Sequence, residues 1–193
     1  MTGNEYVGIK LDAQAVKVLA HPLRSRVLSR LRTAGPATAT DLAAALSTNT
    51  GATSYHLRKL ESVGLVTDTG DGEGKRRLWR ATTDFHSWTN SAFRDDDDAS
   101  TALDWLQRDY VRQFADRAER WLDAAADWPA EWVDVLGLND TFVTVTPEQM
   151  RELQRRLDAV LAEFRAVSEG DVRARRISVY TYARPIDFEP PRS

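Results

Sequence analysis

Thr38-Ala39-Thr40-Asp41-Leu42-Ala43-Ala44-Ala45-Leu46-Ser47-Thr48-Asn49-Thr50-Gly51-Ala52-Thr53-Ser54-Tyr55-His56-Leu57-Arg58-Lys59-Leu60-Glu61-Ser62-Val63-Gly64-Leu65-Val66 is the stretch on which the reading of this 193-residue chain turns. Residues 39–46 predict a short helix, with Thr40 placed to cap it and Asp41 in the first turn, where a carboxylate suits the helix dipole. Leu42, Ala43 and Leu46 are its core face. Ser47-Thr48-Asn49 is a polar turn, and a second helix is expected over 50–63 with Asn49 as cap. In it Thr53, Leu57, Leu60 and Gly64 recur at spacings of four, three and four and mark the inner side. Thr50, Ala52, Ser54, Tyr55, Arg58, Lys59 and Glu61 are left facing outward, with His56 at the boundary.

Beyond Gly64-Leu65-Val66 come a glycine-rich turn, Gly70-Asp71-Gly72-Glu73-Gly74, and a basic strand, Lys75-Arg76-Arg77-Leu78-Trp79-Arg80. Helix, turn, helix, hairpin is the order of a winged helix-turn-helix. Upstream, Leu11, Ala15, Val18 and Leu19 fall at helical spacing and predict a helix over 9–19. His21-Pro22 interrupts it, and a further helix follows over 22–33, with Leu23, Val27 and Leu31 inward and Arg24, Arg26, Arg30 and Arg32 solvated. Gly35-Pro36 ends that helix.

Residues 84–98 change character. Phe85, Trp88 and Phe93 are interleaved with polar residues before the run Asp95-Asp96-Asp97-Asp98, which reads as an acidic linker. Ser100 can cap the next helix, in which Leu103, Leu106, Tyr110, Phe114, Ala118, Trp121 and Ala125 step by three or four for more than six turns. A helix so long and amphipathic needs a partner. After Trp128-Pro129, a strand is expected over 141–145. A helix over 147–167 follows, opened by Thr146 as cap, Pro147 at the first position and Gln149 completing a capping box. A last strand is expected over 177–182, and the tail 190–193 is expected to be loose. The fold class is therefore mainly α with small β, an α+β chain. Its parts are a winged helix-turn-helix domain at 1–83, an acidic linker at 84–98, and a 99–193 region holding the long helix and a small C-terminal α+β unit.

Composition narrows the classes of function. An apolar fraction of 42% and a charged fraction of 28% are ordinary for a soluble globular chain. No apolar run approaches the roughly 18 residues of a membrane span, and Met1-Thr2-Gly3-Asn4-Glu5 has no secretory character, so a cytoplasmic protein is expected. With no cysteine, disulfides, thiolate metal sites and a cysteine nucleophile are excluded. The net charge of −3 hides an asymmetry: residues 1–83 hold 12 Lys+Arg against 7 Asp+Glu, a net of +5, which leaves −8 for the rest. A basic half joined to an acidic half suits a molecule of which one part faces polyphosphate.

Major-groove readout needs donors and acceptors on the exposed N-terminal half of a slim helix. Thr50, Ser54 and Tyr55 supply such groups, with His56 beside them. Arg58 can make a bidentate contact to guanine or hold a phosphate, and Lys59 suits a phosphate. Gly51 and Ala52 permit close backbone approach. On the wing, Lys75, Arg76 and Arg77 can lie along the backbone or reach the minor groove, opposed at the tip by Asp71 and Glu73.

Three runs together, Val18-Leu19-Ala20-His21-Pro22-Leu23-Arg24, then Ala39-Thr40-Asp41-Leu42-Ala43, then residues 54–66, resemble the ArsR family of bacterial winged-helix transcription regulators over about residues 10–83. The resemblance implies a homodimer on an inverted-repeat operator in double-stranded DNA, acting as a repressor released by a ligand. It also implies a dimer interface drawn from 10–20 and 101–126, which would make the long helix a dimerisation helix. Metal-sensing members carry cysteines, or histidine and acidic pairs, at places where this chain has neither. His21, His56 and His86 lie one per element, and no metal or cofactor is expected. Leu103, Leu106, Tyr110, Phe114 and Trp121 are the candidates for the dimerisation face or for a pocket taking a small apolar effector. Trp105, Trp128, Trp132, Phe142, Tyr180 and Tyr182 are further aromatics for such a pocket, although core or interface packing is the commoner use of such residues. A winged helix that binds only protein is the alternative, but its face should be apolar or acidic, and here it is polar and basic. No nucleophile–base pair or phosphate loop suggests an enzyme, since the glycine run 70–74 leads into a strand and not a helix.

Overall fold

Why the chain begins its first helix where it does is settled by one carboxylate. The computed structural model describes residues 8–72, 74, 76–165, 167 and 170–189. In it Gly8–Lys10 is a strand, β1, and helix α1 covers Ala13–Leu19, shorter than the expected 9–19. Asp12 takes the cap: its Oδ1 accepts from the Ala15 N–H at 2.8 Å. The residues before it are thereby free to pair, in parallel, with β5, Phe85–Ser87, in the register Ile9 to His86. A Cβ on Gly8 would meet the exposed Phe85 ring at 2.2 Å, so the ring would have to swing aside.

Helix α2 covers Pro22–Ala34, with His21 as its cap through Nδ1, which accepts from Leu23 N–H at 3.1 Å. It ends at Gly35, whose φ of 86° is a conformation that favours glycine. Strand β2, Ala37–Thr38, leads into α3, Ala39–Ala45. The cap of α3 is Thr38, not Thr40. Thr38 and Asp41 close a reciprocal capping box, with Asp41 N–H donating to Thr38 Oγ1 at 3.2 Å and Thr38 N–H to Asp41 Oδ2 at 3.0 Å. Helix α4 is Thr50–Glu61, followed by β3, Val66–Asp68, and β4, Leu78–Ala81. The three strands form an antiparallel sheet in the order β2–β4–β3.

One core joins these elements. Leu19, Val27, Leu28, Leu31, Leu42, Leu57, Leu60, Leu65 and Trp79 are buried in it, together with Phe93, Ala99, Leu103 and Leu106 from beyond the wing. Residues 84–98 hold β5 and a short 3-10 turn, Asn90–Phe93, whose Phe93 is one of those core residues. Of the four aspartates, Asp97 and Asp98 open helix α5, Asp97–Ala124. Asp96 rather than Ser100 is the cap, accepting from Ala99 N–H at 2.9 Å and from Lys17 Nζ of α1 at 2.8 Å. At 28 residues α5 is about 42 Å long. Its first turns pack on α1, and a short helix α6, Ala130–Val133, follows.

The chain divides into two units, Met1–Asp140 and Thr141–Ser193. In the second, helix α7, Pro147–Glu163, has the expected Thr146–Gln149 capping box but stops short of residue 167, and no residue in it is buried. The strands expected at 141–145 and 177–182 do not form; both segments lie outside any ladder, so the only β structure among the described residues is in the first unit. The reason is physical: an alternating apolar pattern makes a strand only where a partner edge takes its backbone hydrogen bonds, and neither segment has one. The mixed α+β class holds, but its β content belongs to the N-terminal unit. The tail at 190–193 lies outside the described residues.

Candidate nucleic-acid interface

Helix α4 is held from within and presented outward. Asn49 Oδ1 accepts from Ala52 N–H at 2.8 Å, which takes up one of the free donors of the first turn, as the sequence predicts. Thr53, Leu57 and Leu60 are buried, and the Thr53 hydroxyl donates to the Asn49 carbonyl at 3.1 Å. Gly64 does not continue that inner stripe. Its φ of 70° turns the chain out of the helix, after which Leu65 and Val66 return to the core.

On the outer side Thr50, Gly51, Tyr55, Arg58 and Lys59 are exposed, with Ala52 and Ser54 half-buried. Tyr55 leaves 53% of its surface in solvent, and Lys59 Nζ lies 5.8 Å from its ring centre. His56 is turned inward. Its ring stacks on His21 at a centroid distance of 4.4 Å, meets Tyr55 edge-on at 5.2 Å, and carries a buried Nδ1 with no hydrogen-bond partner. The two histidines are 35 positions apart, so nothing in the spacing announced that they meet. Burial lowers both imidazole pKa values and the nearby Arg24 charge lowers them further, so both rings favour the neutral form.

The wing differs from a basic strand running over 75–80. Strand β4 begins at Leu78, so Arg76 and Arg77 precede it in the connecting loop, and Lys75 lies outside the described residues. Arg76 is exposed. Arg77 is drawn back onto the hairpin: its Nε is 3.4 Å from Asp68 Oδ2, and its guanidinium lies 5.8 Å from the Trp79 ring centre. Gly70 and Gly74 have φ values of 80° and 62°, and a Cβ on Gly72 would come within 1.9 Å of the Arg76 carbonyl. The glycines therefore let the loop close tightly.

Of the candidates on the long helix, Leu103 and Leu106 are inside the core of their own unit. The half-buried Tyr110 packs against that core, with its hydroxyl 2.6 Å from His86 Nε2. Phe114 is half-buried, and Trp121 meets Trp128 edge-on at 5.2 Å, with Trp132 a further 6.2 Å along. Trp105 packs on the core, while Phe142, Tyr180 and Tyr182 lie in the other unit. Polar side chains not foreseen in the sequence lock α5 to α2. Ser25 donates to Asp109 Oδ2 at 2.7 Å, Gln113 Nε2 donates to the same carboxylate at 2.6 Å, and Arg117 donates to Ser29. The only trace of this lock is that positions 109, 113 and 117 repeat every four residues beside the apolar stripe.

A family profile described as a helix-turn-helix domain matches residues 19–69, which are α2, α3, α4 and the start of the wing. That match supports DNA binding. No curated protein matches the chain. Among the described residues no helix is long and apolar enough to cross a membrane.

Proposed function

We propose that this chain is a sequence-specific transcription regulator of ArsR type. In this reading α4 enters the major groove, with Thr50, Ser54, Tyr55 and Arg58 toward base edges, Gly51 and Ala52 at the close approach, and Lys59 toward phosphate. The hairpin loop, with Lys75, Arg76 and Arg77, follows the backbone or the minor groove. The observation that carries the reading is the division of α4 into an inner face of Thr53, Leu57 and Leu60 and an exposed polar, basic outer face.

The working form is a cytoplasmic homodimeric repressor on an inverted-repeat operator, with residues 1–83 reading DNA, 84–98 connecting, and 99–193 serving dimerisation and any apolar effector. Tyr110, Phe114 and Trp121 are the interface side chains in this proposal, since Leu103 and Leu106 serve the core. Electrophoretic mobility shift on the promoter region of the chain's own gene tests it. A retarded, sequence-dependent complex is expected, and Arg58→Ala and Ser54→Ala should each relax the discrimination between that fragment and unrelated DNA. Variants that bind every sequence as the parent chain does would remove α4 from the reading role.

A further inference from the structure

Beside α4 lies an open groove of about 550 Å³, lined by Ala13, Gln14, Lys17 and Val18 of α1, Arg24 of α2, and Tyr55 and Lys59 of α4. We propose that this groove is a phosphate-binding site in which Arg24 is the principal ligand and Tyr55 and Lys59 close the side toward α4. The assignment rests on the DNA-binding reading for its most natural occupant, a backbone phosphate flanking the groove that α4 enters; a free phosphorylated molecule shares the same chemistry.

Cations from three helices converge here with little to balance them. Lys17 is answered by Asp96 at 2.8 Å. The Arg24 side chain has no hydrogen bond or ion pair among the described residues, and its Nε is buried with no partner. An unpaired buried donor is unfavourable, and a half-buried guanidinium with no carboxylate partner among the described residues suits the oxygens of a phosphate. Lys59 has its Tyr55 ring contact but no carboxylate partner among the described residues. Behind Arg24 stand His21 and His56, both favouring the neutral form, so the charge of this corner is that of the arginine and the two lysines. Tyr55 and Lys59 line the groove, whereas Ser54 and Arg58 do not. This separates two roles on one helix: Ser54 and Arg58 toward bases, and Lys59 with Arg24 toward phosphate, with Tyr55 at the boundary between the base-facing side and the groove.

The test uses the full chain with Arg24→Gln, with Arg24→Lys as the charge-retaining control and circular dichroism to confirm that each is folded. In one arm, fluorescence anisotropy with a duplex from the chain's own promoter region and with an unrelated duplex is measured from 50 to 200 mM salt. The glutamine variant should bind both duplexes more weakly by a similar factor, with the slope of log K against log salt smaller by about 1 and sequence preference unchanged; the lysine variant should keep most of the slope. In the other arm, pyrophosphate is titrated while the backbone amide resonances of Tyr55 and Lys59, which line the groove in the parent chain and the variant alike, are followed. A saturable shift, lost in the glutamine variant, with DNA binding unaltered by that variant, assigns the site to a free phosphorylated ligand. Unchanged affinity and slope together with no pyrophosphate response would overturn the site. Absence of DNA binding by the parent chain would instead sink the regulator reading, and the pyrophosphate arm would still decide the groove.

Discussion

His86 and Tyr110 meet across the chain with Nε2 and the phenol oxygen 2.6 Å apart, and the orientation of that bond is set from the other side of the ring. Arg32, which can only donate, points its Nη1 at His86 Nδ1, so the imidazole accepts there and donates from Nε2–H to Tyr110. Arg32 also donates to the Thr83 carbonyl at 2.9 Å and to its hydroxyl at 3.0 Å. Through this one ring, α2, the strand after the wing and α5 are tied together.

Burial, and then the Arg32 charge, push the His86 pKa down to about 3. A histidine with a depressed folded-state pKa stabilises the fold fully above its unfolded value near 6.5 and loses that contribution as pH falls toward 3. The loss should approach roughly 1.4 kcal/mol per pH unit below 6. Urea unfolding at pH 7, 6, 5 and 4.5 should therefore show a steeper acid limb for the parent chain than for His86→Gln. Equal limbs would mean that the ring is protonated at no cost.

Asn49 separates stability from DNA contact. Asn49→Ala removes the α4 cap and should cost about 1 kcal/mol in unfolding free energy, weakening DNA binding only through that loss. Asn49→Asp keeps the cap, so stability should be retained, but it places a carboxylate beside the DNA-facing end and should lower affinity severalfold at low salt. Thermal unfolding and anisotropy on the same samples check both.

Because Ala99, Leu103 and Leu106 are in the same core as Leu57 and Leu60, the helix-turn-helix should not fold without the start of α5. A fragment ending at residue 94 is expected to lack cooperative unfolding, while one ending at 140 retains it. In the full chain Leu106→Ala should cost 2–5 kcal/mol, the usual range for emptying a packed leucine site.

Asp68 restrains Arg77, and both side chains are partly exposed, so their pair contributes little to stability. Asp68→Asn should release the guanidinium, remove a negative charge from the wing, and raise non-specific DNA affinity and its salt slope without shifting the unfolding midpoint by more than about a degree. A lowered slope would place Arg77 off the DNA.

Local chemistry is legible for many residues that act within their own turn, although the caps of α3 and α5 fall on Thr38 and Asp96 and not on Thr40 and Ser100. Asn49 as cap, the Thr146–Gln149 box, Gly35 as terminator and the Thr53–Leu57–Leu60 stripe all follow from spacing, because their partners lie within four residues. Helix α1 starts at Ala13 and not at residue 9 because Gly8–Lys10 finds a strand partner more than 70 positions away, which local spacing does not signal. The aspartate run likewise reads as solvated charge until Lys17 and the Ala99 N–H are brought to Asp96.

By itself, then, the sequence determined the helix-turn-helix and hairpin order, the face of α4 that is buried, and the basic character of its outer face, since helical period and glycine turns are properties of neighbouring residues. Only the tertiary structure decided that α5 completes the core, that the His21 and His56 rings meet beside an Arg24 without an ion pair among the described residues, and that His86 locks α2 to α5. It also decided that residues 141–145 and 177–182 stay out of any ladder. Those outcomes depend on contacts between residues distant in the chain, for which one-dimensional spacing carries no signal.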